Sequence, residues 1–160
     1  MQTDASLSRV RPLERADAPA CDAIIASLPD WFGMDEGIRE CAAAVRSEPG
    51  LVYERDGAVV VGFLTVVRPS PVTAEISWLA VHANDRGRGS GTALVTRLVD
   101  DLTAEGQVRL LLVKTLSDRT DPGPEYAATR AFYLARGFRP AAELDLFGPE
   151  NPIQLMALRL

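Results

Sequence analysis

Residues 79 to 92, Leu79-Ala80-Val81-His82-Ala83-Asn84-Asp85-Arg86-Gly87-Arg88-Gly89-Ser90-Gly91-Thr92, pass from an apolar run through a glycine-rich turn into an amphipathic segment. The pattern predicts a strand, an anion-binding loop and a helix. Glycine at 87, 89 and 91 permits positive φ and leaves out the β-carbons that would hold a ligand away from the amides. Arg86 and Arg88 add positive charge beside them. Unpaired N–H groups and the dipole at a helix N-terminus both attract a phosphate, so the expected ligand is a phosphorylated cofactor. The glycines run G-x-G-x-G, which does not fit the dinucleotide fingerprint, and the P-loop is excluded for want of a Gly-Lys-Ser/Thr. A glycine-rich turn with no ligand is the alternative that the loop alone leaves open.

Composition narrows the class. The 160 residues suit one domain, 1–160, with a substantial core, and 47% hydrophobic with 24% charged residues is ordinary for a soluble globular protein. A net charge of -5 speaks against a nucleic-acid partner, which would require clustered Lys and Arg. No run reaches the ~18 apolar residues of a membrane span, and the N-terminus lacks the pattern of a secretion signal, so a cytoplasmic protein is expected. Cys21 and Cys41 have no Cys or His at ligand spacing and are expected to be buried free thiols, with no metal site. A monomer and a homodimer are both compatible with the sequence.

Along the chain, Leu7 to Arg11 alternates as a strand that Pro12 ends, and Asp17 is placed to cap a helix carrying Cys21, Ile24, Ile25 and Leu28 on one face. After Asp30-Trp31-Phe32-Gly33, a second helix from about Asp35 to Ser47 is expected to turn Ile38, Cys41, Ala42 and Val45 inward. Leu51 to Arg55 and Ala58 to Val67 read as strands joined by Asp56-Gly57, a dipeptide suited to a two-residue type I′ hairpin. A turn at Pro69-Ser70-Pro71 leads to a strand from Thr73 to Val81. The helix after the glycine loop buries Leu94, Val95, Leu98, Val99 and Leu102, with Gly106 beyond its end. Val108 to Val113 is almost continuously apolar, as in a strand covered on both faces and parallel to the one before the crossover helix. A helix from Glu125 to Arg136 and strands Arg139 to Phe147 and Ile153 to Leu160 complete the pattern.

Arg86-x-x-Gly89-x-Gly91 resembles the Q/R-x-x-G-x-G/A signature of the GNAT-type N-acetyltransferases, and Phe132-Tyr133-x-x-x-Gly137-Phe138 resembles that superfamily's second hallmark. The element order β-α-α-β-β-β-α-β-α-β-β is also that of the GNAT fold, an α/β (α+β) architecture with a mixed central sheet of about seven strands and four helices. The resemblance implies an acyltransferase moving an acetyl group from acetyl-coenzyme A to an amine of a small molecule by direct attack. Acetylation of a protein N-terminus or lysine, and a non-catalytic acyl-coenzyme A sensor, are the alternatives. It implies cofactor contacts at Leu79, Ala80 and Val81, at Arg86, Gly87, Arg88, Gly89, Ser90, Gly91 and Thr92, and at Thr129 and Phe132. Thr129 and Tyr126 depart from the Ala and Asn that often stand four and seven residues before the hallmark tyrosine. Tyr133 is carried over as the acid that protonates the departing thiolate. Glu75, eleven residues before Arg86, resembles the position of a catalytic glutamate.

An alkyl ammonium is almost wholly protonated at neutral pH, so its proton must be removed before attack. Glu75 or ordered water could take it, and a solvated strand-edge glutamate is the alternative reading of Glu75. Strand alternation puts Glu75, Ser77, Leu79 and Val81 on one face and turns His82, the only histidine, to the other, which argues against His82 as the base. Trp31, Phe32 and Lys114 are the candidate acceptor contacts, with Asp30 and Glu150 nearby in a mixed polar and aromatic pocket. No metal is expected.

Overall fold

The computed structural model describes residues 9–31 and 35–160. Seven strands carry its sheet: β1 (Val10–Pro12), β2 (Gly50–Arg55), β3 (Val59–Ser70), β4 (Thr73–Val81), β5 (Leu110–Leu116), β6 (Arg139–Leu144) and β7 (Ile153–Arg159). Four helices join them: α1 (Ala18–Ala26), α2 (Asp35–Ser47), α3 (Ser90–Glu105) and α4 (Pro124–Ala135). The spatial order is β1-β2-β3-β4-β5-β7-β6. All neighbours are antiparallel except β4 and β5, because α3 is a crossover that returns the chain to the same end of the sheet. Element order, strand number and the switch from antiparallel to parallel pairing agree with the expectation.

Several local expectations are corrected. Arg55 pairs with Val59, so the β2–β3 loop has three residues, and positive φ falls on Gly57 (78°) and Ala58 (63°). β3 runs on through Pro69 to Ser70, which pairs with Thr73, and the turn sits at Pro71 and Val72. Ile38 is 36% exposed, and Ala44 takes the inward place between Cys41 and Val45. β5 begins at Leu110 and is covered on one face only: Leu111, Val113 and Thr115 are buried, whereas Leu110 and Lys114 are exposed. The reason lies in the layers. α1 and α2 pack on β3 and β4, α3 lies across β1 to β4 and α4 meets β5, so α1 and α2 stop short of the β5 end.

The two faces make two cores. Leu64, Ile76, Leu94, Leu98, Leu111, Val113, Tyr133 and Phe138 form the larger, on the α3 and α4 side. Cys21, Ile24, Ile25, Cys41, Val52, Phe63 and Ala80 form the other, under α1 and α2. Both cysteines are free and fully buried, and burial is the main cause that pushes their thiols up to about 12. No helix among the described residues is long and apolar enough to cross a membrane.

Asp17 stands at the N-cap of α1 but does not cap it with its side chain. Its carboxylate accepts hydrogen bonds from Arg11 Nη1 and Nη2 at 2.9 and 2.8 Å and from the Glu14 amide at 2.8 Å, while Arg11 Nε reaches Glu54 at 2.5 Å. The Arg11 guanidinium, followed by the Glu14 amide, holds the Asp17 carboxyl below the usual carboxylate range against the opposing effect of burial. A depressed acid adds stability above its unfolded pKa, and that stability is lost as pH falls through the folded value. Arg11→Ala is therefore expected to destabilise the fold by about 1–3 kcal/mol, the cost of an unsatisfied buried acceptor. Urea unfolding at pH 7 checks this, and the gap to the unmodified protein should close as pH drops below about 4, where Asp17 is protonated in the unfolded chain.

Candidate active site

The glycine loop has the geometry of an anion site. α3 begins at Ser90, its N-cap Gly89 has φ 87° and supplies no side-chain cap, and the first bond of its ladder runs from the Ala93 N–H to the Gly89 carbonyl. The amides of Ser90, Gly91 and Thr92 precede that ladder and point out of the helix end. Gly87 (φ 73°) and Gly89 sit in the left-handed region with open space where a β-carbon would lie. Gly91 has a different reason: a β-carbon there would meet the Phe132 ring at 3.3 Å. Arg86 and Arg88 are exposed and form no ion pair among the described residues. Asp85, which would oppose an anion, is buried and answered by Arg55 Nη1 at 2.6 Å.

Beside this loop the sheet opens. β4 pairs with β5 only from Thr73 to Ile76, opposite Leu110 to Val113. Beyond that point β5 continues against β7 and β4 against β3, so the edges of residues 77–81 and 114–116 part. A bulge marks the divergence: Thr65 pairs with Trp78 and Val66 with Ile76, which leaves Ser77 as an extra residue on β4. Extra residues of this kind bend a strand. The His82 amide donates to the Val61 carbonyl at 2.8 Å, so Ala80 faces β3 and, by alternation, the peptide groups of Leu79 and Val81 face the open edge. The result is a slot with a free backbone edge that ends at the α3 amides.

α4 forms one wall of the slot. Tyr133 is buried, its ring edge-on to Phe132 at 5.2 Å and to Phe138 at 5.3 Å. Its hydroxyl forms no hydrogen bond among the described residues, and burial pushes its pKa well above the usual phenol range, so the oxygen keeps its proton. Arg136, unremarked in the sequence, packs over the Phe132 ring at 4.0 Å and donates to the Thr92 hydroxyl and the Phe132 carbonyl. It fastens α4 to the first turn of α3. The signal available in sequence was its place one turn after Phe132 on a helix.

Slot, helix amides and tyrosine fit a thioester with a pyrophosphate tail. Residues 46–140 match the model of the acetyltransferase (GNAT) domain. The chain belongs to the GNAT acetyltransferases. Over 102 residues it is 34% identical to the L-2,4-diaminobutyric acid acetyltransferase of Nocardia farcinica, a match that covers 62% of this chain and 49% of that protein, so it spans about half of this relative's length. The fold is shared with a GNAT-family acetyltransferase structure from Desulfovibrio desulfuricans, at TM-score 0.77 and 21% identity over 94% of this chain and 98% of that one. It is shared too with the yncA structure of Salmonella typhimurium solved with its cofactor acetyl-CoA, at TM-score 0.66 and 24% identity over 94% and 92%.

Within this GNAT domain the predicted acceptor residues fall in two places. Trp31 lies beside the donor loop: its ring carries Arg86 at 4.2 Å, its Nε1 donates to Thr129 Oγ1 at 3.4 Å, and its carbonyl accepts from the Tyr126 hydroxyl at 3.3 Å. It thus bridges the end of α1, the glycine loop and α4. Thr129 also donates to the Glu125 carbonyl at 3.1 Å. Phe32 lies outside the described residues. Glu75 and Lys114 meet, Oε2 to Nζ at 3.2 Å.

The bulge overturns the expected strand parity. Glu75 pairs with Val67, Trp78 with Thr65 and Ala80 with Phe63, so these three β4 residues share the α1 and α2 face, whereas Leu79 and Val81 join Ile76 on the α3 and α4 face. His82 follows Ala80 by two and lies on the Glu75 side, not opposite it. Its Nδ1 accepts from the Asn84 amide at 3.2 Å and lies 4.0 Å from Asp85, which turns the ring toward the turn after β4. On the Glu75 face the Ser77 hydroxyl donates to Glu48 and is 2.8 Å from the Thr65 hydroxyl. Glu48, which follows α2, had no distinguishing spacing in the sequence.

Proposed function

We propose that this GNAT domain transfers the acetyl group of acetyl-coenzyme A to an amine of a small molecule. The observation that carries the reading is the parting of β4 from β5 at the Ser77 bulge, which opens a free strand edge leading toward the glycine loop. When bound, the donor supplies an acetyl thioester. The amides of Ser90, Gly91 and Thr92, with Arg86 and Arg88, bind the pyrophosphate. The free peptide edges of Leu79 and Val81 align an extended arm as an added strand would be aligned, and an N–H on that edge is a donor for negative charge developing on a carbonyl oxygen.

Tyr133 enters from the α4 side and holds its proton at Oη for a departing thiolate. Glu75, Lys114, Ser77 and Glu48 enter from the α1 and α2 side, where an acceptor amine approaches. The acid and the acceptor groups therefore stand on opposite faces of one sheet, joined through the gap. Trp31 borders both regions, touching the donor loop through Arg86. A small amine agrees with the acceptor in the name of the 34%-identical Nocardia protein.

A thermal-shift screen tests the acceptor class. With acetyl-coenzyme A or coenzyme A present, small alkyl amines should raise the melting temperature further, because a ligand that binds only the native state stabilises it. A rise caused by peptides with free N-termini and by no small amine would contradict the small-molecule reading.

A further inference from the structure

We infer that Glu48, and not Glu75, binds the ammonium group of the acceptor and removes its proton. The inference rests on the acetyl-transfer reading above. The two carboxylates lie on the same face of the sheet beside the β4 bulge, but their surroundings differ. Glu75 is already held by Lys114 at 3.2 Å, so a cationic amine reaching Glu75 meets a like charge beside it. Glu48 has no cationic partner among the described residues. Arg46, in the last turn of α2, is committed to both oxygens of Asp22 at 3.0 and 2.6 Å, and Arg68 of β3 is committed to Glu105. Cys41 of α2 is a buried neutral thiol.

Glu48 is also held in place. Its Oε2 takes the Ser77 O–H, and Ser77 is the residue at which β4 leaves β5. Because the Ser77 proton goes to Glu48, the bond between Ser77 and Thr65 is donated by Thr65. Thr65 is fully buried, so the chain of hydroxyls ends inside the protein and supplies no route to solvent. It fixes and polarises the carboxylate, leaving Oε1 for the amine. In the step itself the amine N–H bond breaks and the proton passes to Glu48 Oε1, the freed electron pair on nitrogen forms the new bond to the acetyl carbon, and the carbon–sulfur bond of the thioester breaks, the departing thiolate taking the proton of Tyr133 Oη. Ser77 is a positioning residue for this group.

The test uses the full chain, acetyl-coenzyme A, and L-2,4-diaminobutyrate and 1,4-diaminobutane as acceptors. Glu48→Gln should lower kcat/KM for the amine by about 10²- to 10⁴-fold at pH 7, the usual worth of general base catalysis. The deficit should narrow about tenfold per pH unit toward the amine pKa near 10, since without the base the rate follows the fraction of neutral amine. Ser77→Ala should shift the same pH profile by a smaller factor, and Glu48→Asp should recover part of the loss. Independently of turnover, each amine that serves as an acceptor should raise the melting temperature of the unmodified protein in the absence of donor and leave that of Glu48→Gln unmoved. Profiles of Glu48→Gln and the unmodified protein that superimpose would overturn the inference while leaving acetyl transfer intact. So would the same pH-dependent deficit appearing in Glu75→Gln and not in Glu48→Gln. Failure of the unmodified protein to acetylate either amine would remove the alkyl-amine reading, and the role of Glu48 with it.

Discussion

Tyr133→Phe is expected to lower kcat by about 10²- to 10⁴-fold, with the dissociation constant for acetyl-coenzyme A little changed. The ring packs edge-on between Phe132 and Phe138, and phenylalanine keeps that packing. The lost hydroxyl has no hydrogen bond among the described residues, so its removal leaves no partner unsatisfied and the fold should tolerate it. What disappears is a proton that burial holds on oxygen across the physiological range. Rapid-mixing kinetics should place the loss in the chemical step. An unaltered single-turnover rate would remove Tyr133 from the mechanism and leave it a core residue.

Gly89→Val should in turn abolish measurable donor binding. Gly89 has φ 87° and open space around an added β-carbon, so no neighbour meets it there. The strain comes from a β-branched residue in the left-handed region, and relieving it turns the amides at the start of α3 away. A charge-assisted hydrogen bond is worth about 1.5–3 kcal/mol, so losing two weakens binding by roughly 10²- to 10⁴-fold. Gly106 is the matched control. It has φ 77° and open space, but caps the other end of the same 16-residue helix, about 24 Å away. Gly106→Val should cost stability and leave donor binding intact. Calorimetry showing normal acetyl-coenzyme A binding by a folded Gly89→Val protein would sink the loop assignment.

The loop and both hallmark motifs were legible in sequence because each rests on local chemistry: glycines where φ must be positive, and an aromatic pair one helix face wide. Gly91 has a further reason that sequence did not show, since a β-carbon there would meet the Phe132 ring, and it is not one of the glycines with positive φ. What sequence could not supply is long-range register. Strand alternation put Glu75 with Leu79 and Val81, and a single extra residue at Ser77 reversed that, because a one-residue slip moves every later side chain to the other face. Nothing in the composition of β4 marks the bulge. Trp31 shows the same limit: two aromatics beside a turn signalled a contact, but only the fold brings that turn to Arg86 and Thr129. Glu48 lay in no motif, and its proximity to Ser77 depends on how α2 crosses the sheet.

The central claim is acetyl transfer to a small amine through the slot between β4 and β5. The most direct measurement incubates the protein with acetyl-coenzyme A and a panel of alkyl amines, following free thiol and the mass of each amine together. The expected result is thiol release that requires an amine and matches, mole for mole, the appearance of its acetylated form. Tight binding of acetyl-coenzyme A with no thiol released by any amine would contradict it and make the site a sensor of acyl-coenzyme A.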